Sequence, residues 1–406
     1  MELQSGVVLA ENQVNKLFCK ILFSEYQKVN IKTNLNRITP LSQALVLGVL
    51  IFVISSCSKD PIRPSIGPVD PPPGDSSSYT TGFFIVNEGN FNWGNASVTY
   101  VDNETGTPYQ HIFQQANNRP LGDVAQSMKV MNNRGYIVVN ASNRVEVVDL
   151  TDFKIIKSID GFNSPRYIEF VDSTKAYVTN LYKDISVVDL RTLTITKTIK
   201  TPEWTEGMVK YNQYMFLTCI GTFSEPSSKR KAKLLILDTE TDVIVDSIQT
   251  ATEPVGIVID KKLKLWVLCS GGWDGFSAPV LIRVNPDLRQ VEKAFSFPGT
   301  DIPSRLNINP TGDTIYYLQN GIFQMPVTAA QLPSQPLISS GGHLFYGLAI
   351  NPIDGTIYAS DAIDYVQDGI AFQFSSSNGI LIHTWETGRI PGSFCFSETR
   401  NRKSIN

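Results

Sequence analysis

Residues 135–150 read GYIVVNASNRVEVVDL, and residues 175–190 read KAYVTNLYKDISVVDL. Both stretches run from an apolar segment that ends in Asn, through a short polar loop, to an alternating segment that closes on Val-Val-Asp-Leu. Short runs rich in β-branched and aromatic residues between turn residues are typical of strands. Because self-similarity at a fixed spacing is the mark of a repeat architecture, the offset of 40 residues predicts a repeated β unit.

The apolar segment recurs seven times along the chain. Each copy is preceded by an inner strand such as RYIEFV (166–171) and followed by strands such as LLILD (234–238). Repeats of roughly 40 to 50 residues built from short strands indicate a β-propeller with one blade per repeat. The copies end 39 to 53 residues apart and occupy residues 84–87, 137–140, 177–180, 216–219, 266–269, 316–319 and 358–361.

The first repeat lacks an inner strand upstream of Phe84, and GSFCF at 392–396 has the character of the missing strand. We therefore predict an all-β, seven-bladed β-propeller over residues 81–396, closed by pairing of the N- and C-terminal strands in one blade, with a tail at 397–406. Such closure removes the free sheet edges that favour aggregation.

Residues 1–56 have the layout of an export signal. The apolar run ALVLGVLIFVI (44–54) follows Lys28, Lys32 and Arg37, and at eleven residues it is shorter than the roughly twenty that a spanning helix needs. The sequence then reads Ser-Ser-Cys57, which resembles a bacterial lipobox. The resemblance implies removal of 1–56 and lipidation of Cys57, whereas the alternative is a buried structural cysteine.

Residues 57–80 are rich in proline and poor in large apolar residues, which predicts an extended tether. The Ser58-Lys59-Asp60 stretch looks like the acidic export tag of surface lipoproteins of Bacteroidota. This resemblance implies an outer-membrane protein that is held by its lipid anchor and faces the cell exterior.

The bulk composition excludes several classes of function. The net charge of −3 gives no electrostatic case for nucleic acid as a partner. Five widely spaced cysteines form no C-x-x-C pair and so indicate neither a zinc site nor a disulfide framework. Cys219, Cys269 and Cys395 fall in predicted strands, and we expect them to be small buried thiols.

In a propeller, the loops that precede the innermost strand and those that follow the second strand emerge on one face. Binding residues concentrate on such loops when a rigid scaffold holds them. Aromatic side chains offer broad contact and arginine offers a planar donor fork, so we expect a recognition face for a large amphipathic ligand or a partner protein. The alternative is that these side chains pack neighbouring loops. The candidate ligand-binding residues are Trp93, Arg119, Arg166, Tyr182, Trp204, Trp273, Arg305, Tyr346, Asp364, Tyr365 and Arg389.

The acids Asp361, Asp364 and Asp368 supply oxygen ligands that suit calcium, but their spacing does not match a twelve-residue calcium loop and a solvated turn is the favoured interpretation. The last residues of the seven repeated segments comprise three Asn, two Cys, one Gln and one Asp. One acid and two thiols make a poor metal cage. We therefore assign no catalytic residue, no metal site and no cofactor.

Several phrases carry a family resemblance over roughly 81–396. SPRYIEF (164–170), AYVTN (176–180) and LWVLCSGG (265–272) look like the YncE-like propeller lipoproteins of Bacteroidota. Five further phrases resemble the subfamily that contains the cobalamin-capturing surface propellers. They are NEGNF (87–91), RPLGDVAQS (119–127), WTEGMV (204–209), SDAIDYVQDG (360–369) and IPGSF (390–394).

The resemblance implies a non-enzymatic protein that captures a nutrient, with a corrinoid such as cobalamin as the sharpest expectation, and passes it to a TonB-dependent transporter. Two alternatives remain open at this point. One is a glycan- or protein-binding adhesion or scaffold propeller, and the other is a metal-dependent, lactonase- or lyase-like enzyme.

Overall fold

The computed structural model describes residues 78–221, 232–272, 277–299 and 301–397. These residues all belong to the compact unit that spans 69–406. The predictions for the signal region 1–56, for Cys57, for the tether as far as residue 77, for Trp273 and for the tail beyond 397 fall outside the described residues. No helix within the described residues has the length and apolarity needed to cross a membrane.

Antiparallel strands in the described residues form seven four-stranded sheets, which we number as blades 1 to 7. The blades are as follows: blade 1, β1 (Gly82–Asn87), β2 (Ser97–Asp102), β3 (Pro108–Tyr109) and, from the other end of the chain, β28 (Pro391–Phe396); blade 2, β4 (Ala125–Met131), β5 (Arg134–Val139), β6 (Arg144–Asp149) and β7 (Ile155–Asp160); blade 3, β8 (Pro165–Phe170), β9 (Lys175–Asn180), β10 (Asp184–Asp189) and β11 (Thr194–Lys200); blade 4, β12 (Thr205–Tyr211), β13 (Tyr214–Cys219), β14 (Lys233–Asp238) and β15 (Val243–Gln249).

The remaining three blades follow the same plan. They are blade 5, β16 (Pro254–Ile259), β17 (Leu265–Cys269), β18 (Val280–Asn285) and β19 (Gln290–Ser296); blade 6, β20 (Ser304–Ile308), β21 (Thr314–Leu318), β22 (Gly321–Pro326) and β23 (Ile338–Ser339); blade 7, β24 (Phe345–Ile350), β25 (Ile357–Asp361), β26 (Asp368–Phe374) and β27 (Leu381–Arg389).

The innermost strands close a ring. Each of β28, β4, β8, β12, β16, β20 and β24 contacts the innermost strand of the blade on either side, so the seven strands surround one axis. The predicted seven-bladed, all-β propeller is therefore confirmed.

Blade 1 joins the two ends of the chain, as predicted. Strand β28 pairs with β1 in antiparallel register, with Phe83 opposite Phe396 and Phe84 opposite Cys395. The Phe83 ring lies 4.8 Å from Tyr358 and packs in the core between blades 7 and 1. The closing blade is thus held both by ladder hydrogen bonds and by an aromatic cluster.

Alternation along the strands fills the spaces between blades. In β5, for example, Ile137 and Val139 pack towards blade 1, whereas Tyr136 and Val138 pack towards blade 3. Successive side chains of a strand point to opposite faces, so a strand buried on both faces needs apolar residues at every position. Seven such cores, one between each pair of neighbouring blades, account for the apolar runs that mark the repeat.

One local element differs from the sequence-based expectation. The connection between blades 1 and 2, for which the sequence predicted no helix, contains the helix α1 (Ile112–Asn117). The outer strand of blade 1 has only two residues, and Ile112 and Phe113 of α1 are buried in the core between blades 1 and 2. The helix therefore covers apolar surface that a longer outer strand covers in blades 2 to 5 and in blade 7.

Candidate functional site

Every innermost strand carries a β-bulge near its first residue. In blade 7, Phe345 pairs with Asp361 and Gly347 with Ser360, so Tyr346 is left without a partner in the ladder. The same irregularity occurs in the other six blades. A bulge re-aims a side chain and is enriched beside functional sites. The second residues of the seven innermost strands are Gln126, Arg166, Glu206, Val255, Arg305, Tyr346 and Gly392.

Chain direction places this ring of bulges at one mouth of the channel. Each innermost strand starts at the face where the preceding loop and the loop after the second strand emerge, so its second residue lies close to that face. This is the loop face on which the binding residues were predicted.

One half of the ring is a closed polar network. The Arg166 guanidinium donates from Nε to Glu206 Oε1 at 2.8 Å and from Nη2 to Glu206 Oε2 at 3.3 Å, and it also donates from Nη1 to Gln126. A two-point Arg–carboxylate pair is stronger and more directional than a single contact. The Trp204 ring lies 5.5 Å from the Arg166 guanidinium carbon and covers one of its faces.

The other half contains Arg305, Tyr346 and Glu88. Arg305 donates from Nε to the Tyr346 carbonyl at 2.8 Å and lies 4.9 Å from the centre of the Tyr346 ring. The Tyr346 hydroxyl donates to Glu88 Oε2 at 2.9 Å, and Glu88 Oε1 lies 3.7 Å from Arg305 Nη2. Glu88 directly follows β1 and fills the space above Gly392, where a Cβ would come within 2.3 Å of Glu88 Oε1. Glycine at 392 therefore makes room for the carboxylate of Glu88.

The two halves interact electrostatically across the channel. The charge of Arg166 lowers the pKa of Glu88 and that of Glu206 raises it. The charge of Glu206 also raises the pKa of Arg305. Tyr167, the residue after the bulged Arg166, interacts with Glu206, Arg166, Arg305 and Glu88. We call Glu88, Gln126, Arg166, Tyr167, Glu206, Arg305 and Tyr346 the channel ring.

Burial shifts the protonation equilibria of the ring. Burial raises the pKa of the Glu88 carboxyl above its ordinary value, although Arg305 and the Tyr346 hydroxyl act in the opposite direction. Burial disfavours the Arg166 cation, but Glu206 beside it leaves the Arg166 pKa raised overall. Burial also raises the pKa of the Tyr167 hydroxyl, which remains protonated at neutral pH. The ring therefore holds cations, carboxylates and phenol groups at fixed positions in a site that is shielded from water.

Exposed apolar side chains surround the same mouth. Trp93 is 65 % exposed, Tyr182 is 64 % exposed and Val366 is 65 % exposed, and each lies in a loop that follows the second strand of its blade. The loops of Trp93 and Val366 are linked, because the Asn90 side chain donates to the Tyr365 carbonyl at 2.6 Å. The mouth thus combines a charged centre with an apolar rim.

The predicted site residues divide into two groups. Arg166, Trp204, Arg305, Tyr346 and Tyr365 come together at the channel ring, where the Tyr365 ring stands perpendicular to that of Tyr346 at 5.6 Å. Trp93 and Tyr182 lie on the rim, and Trp273 lies outside the described residues.

Three predicted residues have other local roles. Arg119 binds Glu146 at 2.8 Å over the outer strands of blade 2, away from the ring, because Glu146 is fully buried there and needs a cation. Asp364 accepts two backbone N–H bonds within its own turn, and its hydrogen bonds to Gln367 and to the turn lower its pKa to about 2. Arg389 lies 3.5 Å from Asp368 at the edge of the mouth.

The three acids Asp361, Asp364 and Asp368, for which a solvated turn was the favoured interpretation, do not converge on one point. Asp361 pairs with His343 at 2.8 Å and accepts N–H bonds from Leu344 and Ile363, so it organises its loop. Among the described residues, no three His, Cys, Asp or Glu side chains converge as ligands for a metal ion. The three thiols are buried as predicted, and burial raises the pKa of Cys219 to about 11 and that of Cys395 to about 12.

Glu88, Gln126, Tyr167 and Glu206 were not among the site residues predicted from the sequence. The signal was available in part, since Gln126, Glu206 and the assigned Arg166 and Arg305 occupy the same position in successive inner strands. Most of the ring therefore occupies one repeated position in the innermost strands. Glu88 follows β1 in the chain, so only the tertiary structure brings it into that position.

Comparison with known proteins identifies the family of this chain. The model of the family described as "Domain of unknown function (DUF5074)" matches residues 81–360, and the chain belongs to that family. No curated protein matches the chain by sequence.

Solved structures share the fold at low sequence identity. A quinonprotein alcohol dehydrogenase-like protein from Bacteroides thetaiotaomicron superposes with a TM-score of 0.61 at 17 % identity, covering 79 % of each chain. Hydrazine synthase from Kuenenia stuttgartiensis gives a TM-score of 0.52 at 15 % identity over 67 % of this chain and 89 % of that chain. The dihydro-heme d1 dehydrogenase NirN in complex with DHE gives 0.56 at 11 % identity over 81 % and 77 %. These likenesses establish the propeller fold and leave the ligand open.

Proposed function

We propose that this protein is a non-enzymatic, lipid-anchored binding protein of the bacterial outer membrane that captures a nutrient at the mouth of its channel. The captured molecule is a corrinoid such as cobalamin, and the recipient is a TonB-dependent transporter. On this proposal the chain is a cell-surface member of the YncE-like, cobalamin-capturing group that its sequence phrases resemble.

The observation that carries the proposal is the pairing of a buried polar ring with an exposed aromatic rim on one face. A corrin is a broad plane fringed with amides, so its plane suits Trp93 and Tyr182 while its fringe suits the polar ring. Aromatic side chains give a large contact area at low entropic cost. A rigid propeller keeps the ordering cost of binding small, as capture from dilute solution requires.

Isothermal titration calorimetry of the full chain with cyanocobalamin tests the proposal. We expect a dissociation constant in the micromolar range or tighter, which corresponds to at least about 8 kcal/mol. In the double variant Trp93→Ala/Tyr182→Ala, binding should weaken at least about tenfold, because truncation of an aromatic side chain that anchors a ligand costs more than about 1 kcal/mol.

Leu288→Ala is the matched control. Leu288 is also 65 % exposed, but it lies in the turn between β18 and β19 on the opposite face, so its loss should leave binding unchanged. Absence of any binding heat in the wild type, together with no retention of the corrinoid in equilibrium dialysis, would remove the cargo assignment. An equal loss in the Leu288 variant would remove the assignment of the face.

The anchor is tested separately. In cells fed radiolabelled palmitate, the wild-type protein should carry label and sediment with outer membranes, whereas Cys57→Ala should be unlabelled and soluble. Protease added to intact cells should degrade the anchored protein if it faces the exterior. Label that persists in the Cys57 variant would contradict the proposed lipidation site.

A further inference from the structure

The terminal nitrogens of Arg305 are the least occupied donors of the channel ring. Its Nε is fixed by the Tyr346 carbonyl, and the guanidinium plane is supported by the Tyr346 ring. Its Nη2 lies 3.7 Å from Glu88 Oε1, which is beyond hydrogen-bond distance. Within the described part of the chain, no other group accepts from its Nη atoms. Arginine carries five N–H donors, so the side chain is positioned while most of its donors remain available.

An acceptor lies directly beside these donors. The Tyr346 hydroxyl donates a hydrogen bond to Glu88 Oε2, and Glu88 Oε1 is the oxygen that faces Arg305. The Tyr167 hydroxyl lies within electrostatic reach of both groups and has no hydrogen-bond partner among the residues described. A donor pair and a carboxylate oxygen therefore border the same small space.

The contrast with Arg166 shows that this opening is specific to one half of the ring. All three nitrogens of Arg166 are engaged by Glu206 and Gln126. Arg305 also has a left-handed backbone conformation, with φ at 56°. This conformation is strained for a residue other than glycine.

We propose that the space between Arg305 and Glu88 binds a primary carboxamide, with the carbonyl oxygen accepting from Arg305 Nη and the amide nitrogen donating to Glu88 Oε1. A carboxylate would place its second oxygen against Glu88, and an ammonium group would lie against Arg305. A neutral group with an acceptor beside a donor meets neither repulsion.

This subsite deepens the proposed function and rests on it, since it assigns the amide fringe of the captured molecule to a defined position. Removal of one charge-assisted hydrogen bond lowers affinity by about 10- to 100-fold. We therefore expect selectivity of at least about tenfold between an amide and its isosteric acid.

The test uses nicotinamide and nicotinate as probes. Their binding to the full chain is measured by saturation-transfer and chemical-shift titrations in NMR at millimolar ligand concentrations. The wild type should bind nicotinamide at least about tenfold more tightly than nicotinate. Arg305→Gln should abolish this preference because nicotinamide binds more weakly, and Glu88→Gln should reduce the preference because nicotinate binds more tightly.

Arg283→Gln is the matched control, because Arg283 likewise stacks on an aromatic ring, at 5.8 Å from Trp266, and pairs with a carboxylate, at 3.3 Å from Glu292. It should leave both titrations unchanged. Equal or tighter binding of nicotinate by the wild type overturns the carboxamide assignment, and so does selectivity that survives in Arg305→Gln and Glu88→Gln. Corrinoid binding that is insensitive to these variants removes the subsite but keeps the proposed function, whereas amide selectivity without corrinoid binding removes only the cargo.

Discussion

Replacing Arg166 by Met should destabilise the protein because it strips a buried carboxylate of its partner. The Glu206 side chain is 5 % exposed, that of Arg166 is 19 % exposed, and two hydrogen bonds join them. Breaking a buried ion pair from one side costs about 3–5 kcal/mol, because the remaining charge is left desolvated. We expect that loss in the free energy of unfolding for Arg166→Met and a similar loss for Glu206→Met.

The double variant Arg166→Met/Glu206→Met should behave differently. Replacing both members of a buried pair by apolar residues of similar volume is often neutral or stabilising by about 1–4 kcal/mol. Urea unfolding, followed by tryptophan fluorescence and circular dichroism, gives all three free energies, and an unchanged m-value confirms that the same surface is exposed in each variant. Arg191→Met is the control, since Arg191 pairs with Asp189 at 2.7 Å but is 71 % exposed and should matter little.

Either of two results would refute this reasoning. A loss below about 1 kcal/mol for Arg166→Met would mean that water solvates the pair and that the channel mouth is not a low-polarity site. A double variant that loses the sum of the two single losses would mean that the charges stabilise the blades independently of each other.

Three further predictions concern closure, thiols and pH. Phe83→Ala should lower the free energy of unfolding in urea by about 3–5 kcal/mol, since it empties the aromatic cluster that closes blade 1, and a loss below about 1 kcal/mol would be inconsistent with that closure. At pH 8, peptide mapping after maleimide treatment should find Cys219, Cys269 and Cys395 unlabelled until urea is added, because burial raises their pKa values and blocks access; labelling of the native protein would contradict their burial. Burial raises the pKa of Glu88, so the unfolded chain loses the Glu88 proton at a lower pH than the folded protein does. The free energy of unfolding of the wild type, relative to that of Glu88→Gln, should therefore fall as pH rises from about 4.5. A difference between the two proteins that is constant with pH would count against the raised pKa.

The fold could be read from the sequence because its causes are local and repeated. Apolar runs such as Ile137–Val139 fill the two cores that flank a blade, and the Val-Val-Asp-Leu segments end strands with an aspartate that caps the following turn, as Asp149 does for Thr151. The missing inner strand at 392–396 was predictable for the same reason, since a seventh module needed it. The helix α1 was not, because its burial depends on the short outer strand beside it.

Only part of the site could be predicted from the sequence. Arg166, Arg305 and Tyr346 stood out as charged or aromatic residues beside loops, and the structure brings them together. Glu88, Glu206 and Tyr167 acquire their roles from bulges that turn side chains into the channel and from ring closure, which sets residues of blade 1 against those of blades 3, 4 and 6. Strand identity depends on near neighbours in the chain, and so the sequence by itself determined the propeller. The distances and the desolvation that define the ring depend on residues far apart in the chain, and only the tertiary structure decided them.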